Sequence, residues 1–257
     1  MRSGPLLPTA VQISGKNLGL LRLDTCPRCF WVLLRSKFRP PFQVFPGIFS
    51  SIDSYVKHVV HDHFDRCGGP PSWLAPLGKL VGYIEPPHWS RFRITDLETG
   101  IVLTGAPDGL LRRADNGIVI IDYKTARFTP AADELGPMYE TQLNCYAMIA
   151  ERCGLGHVAA LALAYLEPVT DLPQWYARVC RADGLDLGFA ANVLYVPLRV
   201  DLVSPLLRRV RELWHMPEPP SSIDDCANCE RLARLIELAS ARSSNRRSAR
   251  KPTRAEE

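Results

Sequence analysis

Short apolar runs, separated by turn residues, predict strands along the middle of the chain. Ile118-Val-Ile-Ile-Asp-Tyr-Lys124 and Val158–Leu166 are the most apolar of them. Lys79–Glu85, Trp89–Thr95 and Ile101–Leu111, interrupted at Pro107, read as further strands. Gln174–Cys180 and Asn192–Val200 add two more, and Pro197 puts the last at an edge or a bulge. Helical periodicity marks Asn17 to about Lys37 around Phe30-Trp-Val-Leu-Leu34, Ser50 toward Arg66, Tyr139–Glu151 and Leu202–Trp214. Ser50 with Asp53 resembles a capping box at the start of the second helix, and Cys67-Gly-Gly-Pro-Pro71 ends it. Residues 1–16 carry no clear period and are expected to pack loosely, and Arg39–Gly47 is a Pro-rich rigid connector. Strands flanked by helices at both ends predict one α/β domain with a mixed central β-sheet over residues 1–241.

Composition adds two limits. The apolar fraction of 46% is that of a globular core. Its longest runs are broken by Pro, Gly or charge, which excludes a membrane span. Arg2 is not followed by an apolar segment of signal-peptide length, so a cytoplasmic protein is expected. The net charge of +4 lies in the tail, where Arg242, Arg246, Arg247, Arg250, Lys251 and Arg254 face only Glu256 and Glu257. Residues 242–257 read as a disordered basic end that either solubilises the chain or adds nonspecific phosphate affinity.

The candidate chemistry lies in a hairpin. Ala114-Asp-Asn-Gly117 is a turn signal, because Asn-Gly supplies positive φ. Folding the chain about Asp115–Asn116 sets Asp108 opposite Tyr123, and folding it about Asn116–Gly117 sets Asp108 opposite Thr125. Either register leaves Asp108 beside Asp122 and Lys124, since cross-strand partners lie about 5 Å apart at Cβ. Asp122 and Lys124 share a face, and Tyr123 points the other way. Two hard carboxylates suit Mg²⁺ or Mn²⁺, and Lys124 is a fixed cation beside them. The bland alternative is a surface Asp–Lys ladder.

Two pairs, Cys26-Pro-Arg-Cys29 and Cys226-Ala-Asn-Cys229, have metal-ligand spacing near the two ends of the chain. Closing so long a loop costs about 5 kcal/mol of chain entropy, and a structural tetrathiolate metal contributes about 10 kcal/mol or more. Zn²⁺ and a [4Fe–4S] cluster both suit four thiolates. Cys67, Cys145, Cys153 and Cys180 lack such spacing and read as buried structural thiols.

With these residues in hand, the chain resembles the PD-(D/E)xK nucleases, in particular RecB-like exonucleases and related CRISPR-associated nucleases with an iron–sulfur cluster. Pro107-Asp108 resembles the first acidic motif, Asp122-Tyr123-Lys124 the second, and Gln142-Leu-Asn-Cys-Tyr146 the Gln-x-x-x-Tyr motif of the following helix. The resemblance implies a restriction-endonuclease-like core. It also implies catalytic roles for Asp108, Asp122, Lys124, Gln142 and Tyr146. Thr141 and Asn144 are expected on the solvated face. Relatives often carry a His or Glu on an N-terminal helix as a further metal ligand; here Ser51 or Asp53 falls at that place, and Asp53 is the candidate. His58, His61 and His63 follow on the same helix and read as surface residues, or as ligand candidates only where the helix is longer or rotated relative to relatives. Relatives with a cluster place one Cys at the N-terminus and three at the C-terminus, whereas this chain offers two and two; the resemblance still favours [4Fe–4S] over Zn²⁺. The implied activity is metal-dependent cleavage of DNA, single-stranded or at duplex ends, in repair, recombination or defence. The alternatives are an inactive DNA-binding scaffold of the same fold, and a thiol-metal partner in a larger repair complex.

Overall fold

The computed structural model describes residues 11–39, 42, 46–128, 134–170 and 180–248. They form two compact units, residues 1–23 with 42–211, and residues 24–41 with 212–257. The Cys-bearing segments cluster within the second of these units.

The first unit is built on a five-stranded sheet. In chain order its elements are β1 (Gln12–Ser14), α1 (Gly15–Gly19), α3 (Gly47–Cys67), β2 (Leu80–Ile84), β3 (Arg93–Thr95), β4 (Val102–Thr104), β5 (Gly109–Arg113), β6 (Ile118–Lys124), α4 (Gly136–Arg152), β7 (Val158–Pro168), a short ribbon of β8 (Cys180–Arg181) and β9 (Gly184–Leu185), and β10 (Phe189–Val196). The large sheet runs in the order β10-β7-β6-β5-β2. Only β6 and β7 are parallel neighbours in it; the other pairs are antiparallel. A parallel pair needs a long crossover, and α4 supplies it. The result is a mixed α/β sheet with helices on its faces. A smaller sheet, β1-β4-β3, lies beside it in sequence and holds β1 parallel to β4.

Alternation along β6 sorts its side chains. Val119, Ile121 and Tyr123 join Val56, Val60 and Phe64 of α3, Leu111, and Ala160, Ala162 and Ala164 of β7 in one core. The α3 residues recur every four positions, which is one stripe of a helix. Ile118, Ile120, Asp122 and Lys124 therefore face the other way, toward α4, whose Leu143, Ala147 and Ile149 are fully buried.

Several elements depart from the sequence reading for local reasons. Val11 and Ile13 are buried, so the N-terminal segment is an ordered strand from Gln12. Helix α3 starts at Gly47, with no side-chain cap. Ser50 and Asp53 thus lie inside the helix, which removes the capping box and frees the Asp53 carboxylate. Gly68, at φ 71, stops the helix in the left-handed conformation that glycine tolerates. Trp89–Arg91 turn instead of extending, because the Arg91 and Phe92 amides both bond back to the His88 carbonyl. Strand β10 ends before Pro197 and forms the sheet edge, where a residue without a donor belongs. Of the predicted strand Gln174–Cys180, residues 174–179 lie outside the described residues.

In the second unit, α2 (Pro27–Arg35) and α6 (Ala227–Ser248) are the helices, and α5 (Val203–His215) ends there. Arg35 donates to the Trp214 and Met216 carbonyls at 2.6 and 2.8 Å, and its guanidinium stacks on Trp31 and Trp214. Helix α6 runs on through residues 242–248 of the basic end. No helix among the described residues is long and apolar enough to cross a membrane.

Candidate active site and thiol centre

The hairpin between β5 and β6 turns through Ala114, Asp115 and Asn116. The Asn116 amide bonds to the Arg113 carbonyl, the Arg113 amide to the Gly117 carbonyl, and Asn116 sits at φ 65. This is a three-residue loop, a type I turn closed by a left-handed residue. It pairs Gly109 with Ile121 and Leu110 with Ile120. Asp108, one step further, reaches the level of Asp122 itself. The sequence reading placed it opposite Tyr123 or Thr125, because it assumed a two-residue turn. The corrected register brings the two acids closer together than either alternative.

Asp108 precedes the first residue of β5, where the pleat has not yet fixed which face it serves. One carboxylate oxygen accepts the Tyr123 backbone N–H at 2.9 Å. The other accepts from the Lys57 ammonium of α3 at 2.8 Å. Lys57 also holds Asp53, one helical turn before it, at 2.7 Å. Asp53 thus faces the same corner as Asp108, joined to it through Lys57.

Asp122 is buried on the α4 side. Lys124 ion-pairs with its Oδ2 and lies 4.3 Å from the centre of the Tyr139 ring. The Gln142 side-chain amide donates to Asp122 Oδ1 at 2.9 Å and to the Tyr146 hydroxyl at 2.8 Å. Gln142 and Tyr146 are one turn apart on α4, so both reach the end of β6. Tyr146 can lie there because Gly105 leaves room: a Cβ on Gly105 would come within 2.6 Å of the ring.

The electrostatics are those of an under-neutralised acidic pair. Burial, then the nearby Asp122 charge, push the Asp108 carboxyl up to about 6, against the opposing pull of Lys57. The Lys57 ammonium is held above its ordinary value: burial opposes its charge, but Asp108 and then Asp53 outweigh burial. Burial, followed by the Asp122 charge, pushes the Tyr146 hydroxyl up, so it stays protonated. The Gln142 carbonyl oxygen Oε1 is buried with no hydrogen-bond partner, an exception that calls for an explanation. Asp108 and Asp122 offer hard carboxylate oxygens, the donor type that Mg²⁺ or Mn²⁺ takes.

Other expectations resolve differently. Thr141 and Asn144 are fully buried, not solvated. Asn144 accepts the Arg199 amide at 2.6 Å and donates to the Pro197 carbonyl, pinning the chain beyond β10 to α4. Helix α4 packs against β7, β6, α1 and the small sheet, which leaves it little solvated face. His58 bonds to the Ser54 carbonyl, His63 to the Gly69 carbonyl, and His61 stacks on Tyr83; none of these contacts is with Asp108. Lys57 was missed. Its signal was the Asp53-to-Lys57 spacing of four, which puts an acid and a base on one helical face.

The second unit gathers all four paired cysteines. Cys26 lies 3.7 Å from Cys229, and Cys29 lies 3.5 and 3.4 Å from Cys226 and Cys229, sulfur to sulfur. The four ligand atoms all fall within 4.8 Å of one another. Burial pushes the Cys26 thiol up, but hydrogen bonds from the Cys29, Ile223 and Arg28 amides and from Cys229 outweigh it and lower it to about 6. Burial, reinforced by the other three sulfurs, pushes Cys29 well up. Four thiols gathered this closely make a site that a metal would complete by displacing their protons. Cys145 is buried as expected, whereas Cys67, Cys153 and Cys180 are exposed.

Fold and site together define a restriction-endonuclease-like α/β core with a carboxylate pair at the ends of adjacent strands. The family model for the PD-(D/E)XK nuclease superfamily matches residues 74–234, more than half of the chain, and the protein belongs to this superfamily. Membership implies nuclease activity, with nucleic acid as substrate and, as is usual in the superfamily, divalent metals. No curated protein matches the chain. Among solved structures, it is similar to one described as "Crystal structure of SSO0001", at 13% identity and a TM-score of 0.41, covering 83% of this chain and 82% of that one.

Proposed function

We propose that this protein is a metal-dependent deoxyribonuclease, an exonuclease acting on single strands or duplex ends in repair, recombination or defence, and working in the cytoplasm. The observation that carries the reading is the convergence of Asp108, Asp122, Lys124 and Gln142 at one end of β5 and β6.

Asp108 and Asp122, with Asp53, are the proposed ligands of Mg²⁺ or Mn²⁺. Bound there, such an ion supplies Lewis acidity toward a phosphoryl oxygen and acidifies a bound water. Lys124 places a fixed positive charge where negative charge develops on the phosphorane, and its short leash to Asp122 keeps it oriented. Gln142 fixes the Asp122 carboxylate and is itself fixed by Tyr146. The four cysteines are proposed to hold a structural metal centre in the second unit. The resemblance points to [4Fe–4S]. The sulfur spacing favours a single tetrahedral ion such as Zn²⁺, since ligands about 2.3 Å from a central ion lie about 3.8 Å apart.

The test is degradation of end-labelled DNA with Mg²⁺ or Mn²⁺. Wild type is expected to cleave, and Asp108→Ala and Lys124→Ala each to abolish cleavage while remaining folded. Cleavage that survives both changes removes the mechanism. DNA binding without turnover in either metal supports the inactive scaffold, a reading favoured by the one Lys57 ammonium that already lies between Asp53 and Asp108.

A further inference from the structure

The ammonium of Lys57 lies between two carboxylates, 2.7 Å from Asp53 Oδ2 and 2.8 Å from Asp108 Oδ1. It takes the oxygen of Asp108 that its backbone contact leaves available, because the other accepts the Tyr123 amide. A divalent ion gripped by Asp108 and Asp53 would compete for the same corner, above all for Asp108 Oδ1, since Oδ2 already accepts the Tyr123 amide. An ammonium and a hard dication select the same acceptors, and both cannot fill one space.

Resting on the nuclease reading above, we propose that Lys57 is an internal competitor of the catalytic metal. It stands in for the ion between Asp53 and Asp108, and it must swing away before that position is loaded. Three features support this. Lys57 is 30% exposed in its side chain, so its four-carbon stem has room to leave without disturbing the core. Gln142, which holds Asp122 through its amide nitrogen, has a buried Oε1 without a hydrogen-bond partner, a polar atom open to a further cation. Displaced, the ammonium stays within a side chain's length of the strand ends, where a DNA phosphate is the natural anion to receive it. Metal and phosphodiester would then bind cooperatively: the phosphate draws off the cation that blocks the metal. Lys57 is on this account a positioning residue that sets metal affinity.

The experiment is a Mn²⁺ titration of the full-length protein by calorimetry, with free Mn²⁺ followed in parallel by electron paramagnetic resonance, and needs no turnover. Lys57→Gln and Lys57→Met are expected to bind Mn²⁺ at least about tenfold more tightly than wild type. That is the size expected from removing one like charge a few ångströms from a dication, even at the dielectric of water. Lys57→Arg keeps the charge and is expected to match wild type. A short phosphorothioate strand is expected to tighten Mn²⁺ binding to wild type and to have much less effect on Lys57→Gln. Circular dichroism confirms folding, and two neutral variants guard against a defect peculiar to one. If Lys57→Gln and Lys57→Met bind Mn²⁺ no better than wild type while Asp108→Asn abolishes binding, the competitor role is overturned and the metal site stands. If Asp108→Asn binds as wild type does, the ion lies elsewhere and the nuclease reading fails with it.

Discussion

Gln142 donates its side-chain amide to Asp122 Oδ1 at 2.9 Å, tying helix α4 to the end of strand β6. The bond joins a buried acid to the helix that connects the parallel strands β6 and β7. Gln142→Ala would leave a buried carboxylate with one donor fewer, a loss of about 1–3 kcal/mol. Thermal unfolding should show the destabilisation, and DNA cleavage should fall with it. Tyr146→Phe, which removes only the hydroxyl that steadies Gln142, should be the milder change in both assays. A Gln142→Ala protein as stable and active as wild type would show that the amide positions nothing.

Asp108 gives the metal-free protein a predictable pH dependence. Its carboxyl is raised to about 6 in the folded state by burial and by Asp122. A carboxyl raised on folding binds more protons folded than unfolded, so its ionisation destabilises the fold. The penalty is absent at pH below the unfolded value of about 4, grows as pH rises toward about 6, and is complete above it. Without metal, Asp108→Asn should therefore be more stable than wild type by about 1–3 kcal/mol near pH 7.5, with the difference vanishing toward pH 4. Urea unfolding at the two pH values checks the sign. A constant difference at both would mean that the carboxyl is not raised.

Gly105 tests the seat of Tyr146. A methyl group there would sit 2.6 Å from the tyrosine ring and 3.1 Å from Phe92. Gly105→Ala should cost about 1–3 kcal/mol through overpacking. Because Tyr146 steadies Gln142, cleavage should fall further than Tyr146→Phe alone brings about. Comparing the two variants in one cleavage assay separates displacement of the ring from loss of its hydroxyl.

The thiol centre should behave as a structural metal site. Purified without oxygen, the protein should carry one metal centre per chain. Cys29→Ser or Cys226→Ser should each release it and destabilise the fold by several kcal/mol, as expected when a structural metal is lost. Elemental analysis with a visible spectrum distinguishes the candidates: an iron–sulfur cluster is coloured, whereas zinc is not. Protein that holds no metal and keeps its stability after either change would leave the four thiols a merely packed cluster.

Much of this organisation is carried by local pattern. Ile118–Lys124 and Val158–Pro168 are strands because continuous apolar runs of strand length are bounded by turn residues, and the longer Gly136–Arg152 segment reads as a helix. Strand geometry put Asp108 beside Asp122 and Lys124, and helix geometry put Gln142 and Tyr146 on one face; that all five belong to one site is what the resemblance to the PD-(D/E)xK nucleases implies. The paired cysteines were legible by their spacing. Register and long-range neighbours were not local. A left-handed Asn116 adds a residue to the turn and moves Asp108 level with Asp122. The start of α3 at Gly47 turns Asp53 from a cap into a partner of Lys57. Asn144 and Thr141 are buried only because α4 is packed on several sides. Sequence by itself determined which groups could do chemistry; tertiary packing decided which oxygen faces which cation, because those choices depend on elements far apart in the chain meeting at ångström distances.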